Sequence, residues 1–393
     1  MPRAGALTVA VAAQRPVEVY RDVVEDRAYP TVREWRDRTG RGAVGCFPVY
    51  APVELAHAAG MLPVGLFGGG NRVDIAHADS RFQSFICSIV KSTLELGFIG
   101  ALDVFDALMF QSICDPARNL ASVQSRNFPQ RPVVYVHLPQ NMSSPAVIDY
   151  LASEHRRVGA ELASVAGRSP NDDDLRSSIA AYDAVRAALR ELYALRALAP
   201  EKLGTGDLYA LARLATLMDP LEVAPVLRRE LAAAEARDER PKDRIRVVLV
   251  GSFCEQPPLE LIESLEAAGC YIVDDDFLLG WRWFHRAVDP AGDPYAALAR
   301  AYVDGSVHAS TKHDLRTPRA KALIDSAVRN RADAVIFLGA KFCEPGLFDY
   351  VLYRKALEER GIPHLFLEFE EKMWLYDRIQ GEVETFVESM LFA

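Results

Sequence analysis

No two cysteines in this 393-residue chain stand in a C-x₂₋₄-C pair. Structural zinc sites usually take their ligands in such close pairs, so a zinc finger or ribbon is excluded. No apolar run approaches the ~20 residues that a spanning helix requires, which argues against a membrane-embedded protein. The Ala/Val stretch in MPRAGALTVAVAAQRPVEVY is too brief for a signal-peptide core and reads as a mobile lead or first strand. There is no long Lys/Arg block, and the net charge of −9 argues against nucleic acid as a partner. Gly68-Gly69-Gly70-Asn71 lacks both the GxGxxG spacing of a dinucleotide fingerprint and the GK[ST] ending of a P-loop. It reads as a plain turn, and nucleotide binding by this chain is not expected.

What remains is a chain of ordinary globular composition, 50% hydrophobic and 25% charged, long enough for two domains. Its six cysteines, at 46, 87, 114, 254, 270 and 343, occur in a protein too large to need disulfides, so a reducing cytoplasm is the natural compartment. Free cysteine is often simply a small buried hydrophobe. Cys270, inside Ala268-Gly269-Cys270-Tyr271-Ile272-Val273, fits that description best, and Cys114 and Cys343 fit it least.

Cys114 follows the apolar run Ala107-Leu108-Met109-Phe110 and precedes Asp115-Pro116. Cys343 follows Ala334-Val335-Ile336-Phe337-Leu338 and precedes Glu344-Pro345. Both contexts predict a buried strand, a cysteine at its carboxyl end, then an acidic residue and a proline opening a helix. In open α/β sheets ligands bind beyond the carboxyl ends of the strands, and thiolates presented there from separate strands can serve one soft metal centre.

The alternation of strand and helix patterns predicts an α/β protein. Two similar Rossmann-like domains, each with a parallel sheet, would flank a cluster-binding cleft. The expected organisation is an N-terminal helical lead over 1–42, a first α/β domain over 43–143, a helical connection over 144–240 and a second α/β domain over 241–393. Residues 17–42 read as an amphipathic helix ending at Thr39-Gly40, and Arg237–Arg244 as an exposed, charged hinge. Apolar positions such as Ile179, Tyr182, Val185 and Leu189 recur at helical spacing and belong to packing.

Isolated cysteines at strand ends suit an iron-sulfur cluster assembled by the tertiary fold. Asp274-Asp275-Asp276 could bind a hard cation such as magnesium, although such a run is more often a solvated turn or helix cap. Trp281, Trp283 and Phe284 would line an aromatic pocket or pack in a core. His57 and His137 are candidate proton donors, although each alone also fits a hydrogen-bonded structural histidine.

These phrases together resemble the family of benzoyl-CoA reductase and 2-hydroxyacyl-CoA dehydratase subunits, over nearly the whole length from Ala43. The resemblance is carried by Gly45-Cys46-Phe47-Pro48 with Glu54 and His57-Ala58-Ala59-Gly60, by Cys87, and by Cys114-Asp115-Pro116-Ala117-Arg118-Asn119. It continues through His137-Leu138-Pro139-Gln140 and Phe342-Cys343-Glu344-Pro345. Gly251-Ser252-Phe253-Cys254-Glu255-Gln256-Pro257-Pro258 and Val273-Asp274-Asp275-Asp276-Phe277 look closer to the reductase branch.

The resemblance implies cluster ligands at Cys87, Cys114 and Cys343. It implies either one 4Fe-4S cubane or a double cubane (8Fe-9S) in which Cys46, Cys254 and Cys270 form the second set. It further implies a sister catalytic subunit, an ATP-hydrolysing iron-sulfur activator fed by ferredoxin, and an aryl-CoA substrate. One-electron delivery to the aromatic ring would then be followed by protonation from an acid such as His57 or His137. The alternatives within reach are a 2-hydroxyacyl-CoA dehydratase subunit and a non-catalytic, cluster-carrying partner subunit. One departure stands out: where many relatives carry Gly-Gln and Thr-Arg near the C-terminus, this chain has Gln380-Gly381-Glu382-Val383-Glu384-Thr385. That is consistent with a subunit given over to electron transfer.

Overall fold

The computed structural model describes residues 14–251, 254–276, 287–305, 309–312, 314, 316–370 and 372–391. Trp281, Trp283 and Phe284 lie outside the described residues. Two four-stranded sheets, all parallel, organise the chain. The first holds β1 (Ala43–Cys46), β2 (Leu62–Gly65), β3 (Ala107–Gln111) and β4 (Val133–Val136) in the order β2-β1-β3-β4. The second holds β5 (Ile245–Val250), β6 (Cys270–Asp275), β7 (Ala334–Ala340) and β8 (His364–Phe369) in the order β6-β5-β7-β8. The two orders are the same, and β1, β3, β6 and β7 are buried along their whole length. Strands covered on both faces need continuous apolar runs, and those runs made them legible in the sequence.

In each sheet the chain leaves the first strand to one side and returns to the other, so the order reverses between β1 and β3 and between β5 and β7. Crevices open at such reversals, beyond the carboxyl ends of the strands. The crossovers relevant here are α3 (Val53–Ala58), α4 (Ser88–Phe98) and α5 (Asp115–Asn127) in the first half. In the second half α10 (Leu259–Ala267), α11 (Pro294–Gly305), α12 (Lys321–Arg329) and α13 (Glu344–Glu358) play that part, and α14 (Asp377–Leu391) ends it.

The amino-terminal segment is two helices, not one: α1 (Pro16–Glu25) and α2 (Pro30–Thr39). Pro30 lacks an N–H and restricts its neighbour, so the helical run breaks before it and restarts with Pro30 at its first position. Four helices follow β4: α6 (Val147–Ala166), α7 (Asp172–Leu198), α8 (Thr205–Leu214) and α9 (Pro220–Glu235). Asn171 and Asp174 form a capping box that fixes the start of α7.

Helix α7 is the spine between the halves. Arg186 forms a buried ion pair with Glu54 on α3, and Arg196 forms another with Asp275 on β6 at 2.9 Å. Ten residues of helix separate the two arginines, roughly 15 Å along the axis. The aspartate run is consumed in the same packing. Tyr193 also donates to Asp275, Ser326 and Asn330 donate to Asp274, and the Gly251 N–H donates to Asp276. These carboxylates are buried protein-bonded acceptors, and the magnesium expectation fails because their lone pairs are already engaged. Among the described residues no helix is long and apolar enough to cross a membrane.

Candidate functional site

Three of the six cysteines occupy the same local position. Cys87 is the N-cap of α4, Cys114 of α5 and Cys343 of α13. Pro116 and Pro345 each sit in the first turn that follows, where a missing N–H costs nothing. A helix start offers unsatisfied N–H groups and the positive end of the macrodipole, the setting that favours a thiolate. The Val90 N–H, three residues into α4, faces Cys87, and the Ala117 N–H, three residues into α5, faces Cys114.

The second half delivers a fourth thiol. Gly251, at the end of β5, has φ +124°, and a Cβ there would lie 2.6 Å from the Leu338 carbonyl oxygen. A Cβ on Gly346, in the first turn of α13, would lie 2.5 Å from the Gly251 carbonyl oxygen and 3.5 Å from the Cys343 sulfur. Two glycines therefore let the loop after β5 close onto the start of α13. That loop carries Cys254 and Glu255 into the cleft. Glu255, which is 1% exposed, accepts a hydrogen bond from the Ile89 N–H at 3.3 Å. A carboxylate of one half thus caps the helix whose N-cap, in the other half, is Cys87.

Cys87, Cys114, Cys254 and Cys343 are electrostatic neighbours. Burial pushes the Cys87 thiol well above its ordinary value, and Glu255, Cys343 and Cys114 push it further. Burial raises Cys114 to about 12, against the pull of the Ala117 N–H. Burial, then Cys114, Cys343, Cys87 and Glu255, raise Cys254. Like-signed groups gathered in a low-dielectric cleft ionise together only when a positive centre joins them.

Cys46 and Cys270 stand apart from this group. Cys46 lies within the first sheet, opposite Gly65 and Met109, and its sulfur is 3.6 Å from the Val44 carbonyl oxygen. Cys270 begins β6, at the amino end of the second sheet, where Arg244 and Glu266 are its charged neighbours. The second ligand set of Cys46, Cys254 and Cys270 is therefore not assembled: Cys254 belongs with the other three thiols, and the remaining two face different surroundings.

His57 and His137 also separate. His57 hydrogen-bonds Ser178 at 2.9 Å, lies 3.8 Å from Asp219 and meets the Tyr182 ring edge-on, all within the helical connection. His137 is exposed at the end of β4, with its ring centroid 4.8 Å from that of Tyr135, a residue whose own surroundings include Arg118 and Cys114. Its backbone N–H is fixed by Glu154 at 2.7 Å.

Among the described residues no three His, Cys, Asp or Glu side chains are close enough to grip one metal ion. The four thiols, drawn from both halves, are close enough to act on one another electrostatically. An iron-sulfur cluster takes each thiolate on a different iron, so its ligands need not converge on one point. The donor set fits such a cluster in chemistry, being all sulfur, with three of the four at helix starts.

Residues 48–390 match the family model described as 2-hydroxyglutaryl-CoA dehydratase, D-component. The chain is 36% identical to a subunit of the benzoyl-CoA reductase of Thauera aromatica over 368 residues, 93% of this chain and 95% of that protein. It is 30% identical to the beta subunit of the lactoyl-CoA dehydratase of Anaerotignum propionicum, covering 91% and 94% of the two chains. It is 28% identical to the beta subunit of the (R)-phenyllactyl-CoA dehydratase of Clostridium sporogenes, covering 94% and 97%.

Proposed function

The chain belongs to the 2-hydroxyglutaryl-CoA dehydratase D-component family, and from that premise we propose that it is the iron-sulfur subunit of an ATP-dependent aryl-CoA reductase of the benzoyl-CoA type. The family's named members here are subunits of reductases and dehydratases of CoA thioesters. The observation that supports the reading is the grouping of Cys87, Cys114, Cys254 and Cys343, drawn from both halves, as mutual electrostatic neighbours. The higher identity to a reductase subunit than to the two dehydratase subunits favours the reductase branch.

Cys87, Cys114 and Cys343 are the proposed cluster ligands, with Cys254 a fourth thiol in reach. A bound 4Fe-4S cluster supplies one-electron chemistry at low potential. The chain's own residues do the rest. The starts of α4 and α5 turn a backbone N–H toward Cys87 and Cys114, which opposes the rise that burial imposes on both thiols, and Glu255, buried in the second half, caps α4 of the first. His137, exposed at a strand end, is the proposed proton carrier, and His57 is assigned to packing. The proposed partners are a sister subunit, an ATP-hydrolysing activator with ferredoxin upstream, and an aryl-CoA, in an anaerobic cytoplasm.

Iron and acid-labile sulfide on anaerobically prepared protein test this directly. About four irons per chain, with an EPR signal after reduction, is the expected result. Protein devoid of iron after cluster reconstitution overturns it. The two dehydratase relatives favour a second reading, a 2-hydroxyacyl-CoA dehydratase subunit. With the activator present, loss of water from a 2-hydroxyacyl-CoA without net consumption of reductant selects that reading.

A further inference from the structure

A polar cavity lies beside Gln256, Pro257 and Pro258, in the segment that follows Cys254, where the first half, the helical connection and the second half meet. It measures about 110 Å³ and is bordered by Arg27, the Gly69-Gly70-Asn71 turn, Arg213 and Gln256. That is less than the ~150 Å³ that admits a benzene ring and is of the order of a single tetrahedral oxyanion.

Arg213 is buried, 3% exposed, and its hydrogen-bond acceptors are neutral: the Gln256 side-chain oxygen at 2.9 Å and the Val24 carbonyl oxygen at 3.4 Å. Its guanidinium lies 3.7 Å from the Phe67 ring centroid. The Arg213 Nε and the Gln256 Nε2 are buried with no hydrogen-bond partner, and so is the Arg27 Nε. Arg27 spends one nitrogen on the Val24 carbonyl oxygen, and the two arginines repel each other. A buried cation whose hydrogen-bond acceptors are neutral, beside a like charge, is costly and calls for an anion; Glu25, an acidic neighbour of Arg213, is already paired to Arg72.

The backbone around the cavity is arranged the same way. Helix α10 starts at its wall, with Pro258 as N-cap and no side-chain cap, so its positive end borders the cavity with no side chain of its own covering it. Gly70, at φ +56°, turns the glycine run toward the same space. The turn is clamped from outside: the Asn71 side chain exchanges hydrogen bonds with the Met373 backbone at 2.6 and 2.8 Å. Three other charges border the cavity. Arg72 is paired to Glu25 at 2.9 Å, which neutralises both, and Glu260 is the one carboxylate against two arginines.

We propose that this cavity binds a phosphate group through Arg27, Arg213, the Gln256 amide and the start of α10. The occupant is either a free phosphate species or the terminal phosphate monoester of a larger ligand such as coenzyme A. The site is independent of the thiol cleft and stands without iron.

The test is calorimetry and thermal melting of the full-length, anaerobically prepared chain with inorganic phosphate, against sodium chloride at matched ionic strength. Saturable binding with a rise in Tm is expected, and Arg27→Gln weakens it about tenfold or more, as loss of a charge-assisted hydrogen bond should. Arg27→Lys restores part of it. Arg213→Gln loses binding as well, and should that variant fold poorly, the Arg27 pair alone decides. Iron content stays at the wild-type level throughout, which separates this site from the thiol cleft. Coenzyme A that displaces phosphate where dephospho-coenzyme A does not identifies the terminal monoester as the source. Displacement by neither identifies a free phosphate species. A response to phosphate no greater than to chloride, or undiminished binding by Arg27→Gln, overturns the proposal.

Discussion

The first and second halves share one strand order, yet they treat the cysteine that follows the first strand in opposite ways. In the first half Cys46 is the last residue of β1, hydrogen-bonded into the sheet and flanked by apolar side chains. In the second half the strand stops at Val250, Gly251 turns the backbone to a conformation closed to other residues, and Cys254 emerges in the cleft. After the third strand the halves agree, with Cys114-Asp115-Pro116 matched by Cys343-Glu344-Pro345 at helix starts. Topology thus repeats the places where a ligand could stand, and loop geometry decides which are used.

The largest effect expected from that contrast is on iron. Cys343→Ser or Cys114→Ser should lose nearly all bound iron and at least ~10-fold in cluster affinity, whereas Cys46→Ala should keep it. Equal losses from Cys46→Ala would erase the distinction between the halves. Next comes the spine: Arg196→Met leaves Asp275 buried and uncompensated and should cost about 3–5 kcal/mol by urea unfolding. Arg186→Met should cost a comparable amount, because Glu54 is equally buried. A small cost for either would show that the two halves are not fastened alike.

Gly251→Ala should destabilise by about 2–3 kcal/mol through strain at positive φ and contact with the Leu338 carbonyl, and should lower iron content by displacing Cys254. Gly65→Ala, at the corresponding end of β2, meets only side chains and should leave iron unchanged. The effect of acid is spread over a pH range and absent at neutrality. Burial lowers the His155 pKa to about 4, so the folded chain resists a proton that the unfolded chain accepts from about pH 6.5 downward. The unfolded state binds more protons in that window, so stability falls as pH drops from about 6.5 to 4, by up to about 3 kcal/mol. His155→Gln should flatten the slope there, and an unchanged slope would assign acid sensitivity elsewhere.

The parallel sheets were legible because strands buried on both faces write continuous apolar runs, and Cys114 and Cys343 because each run ends in cysteine, an acidic residue and proline. That Cys254 neighbours Cys87, Cys114 and Cys343 is not legible in the sequence, for a physical reason. Its place depends on the close approach of Gly251 and Gly346, nearly a hundred residues apart, which no local pattern records. The available hint was positional, since Cys254 also precedes a helix start. The aspartate run misled in the same manner: its partners Arg196, Ser326 and Asn330 lie 52 to 79 residues away in sequence. The break at Pro30, by contrast, has a local cause, a proline at the first position of the second helix.

Helix α7 fastens each half through one buried arginine, Arg186 to Glu54 on α3 and Arg196 to Asp275 on β6. Turning one half against the other therefore means pulling a guanidinium off a buried carboxylate, which leaves a charge uncompensated at a cost of about 3–5 kcal/mol. A hinge fastened in this way opens rarely, because each opening must break an ion pair before it exposes anything else.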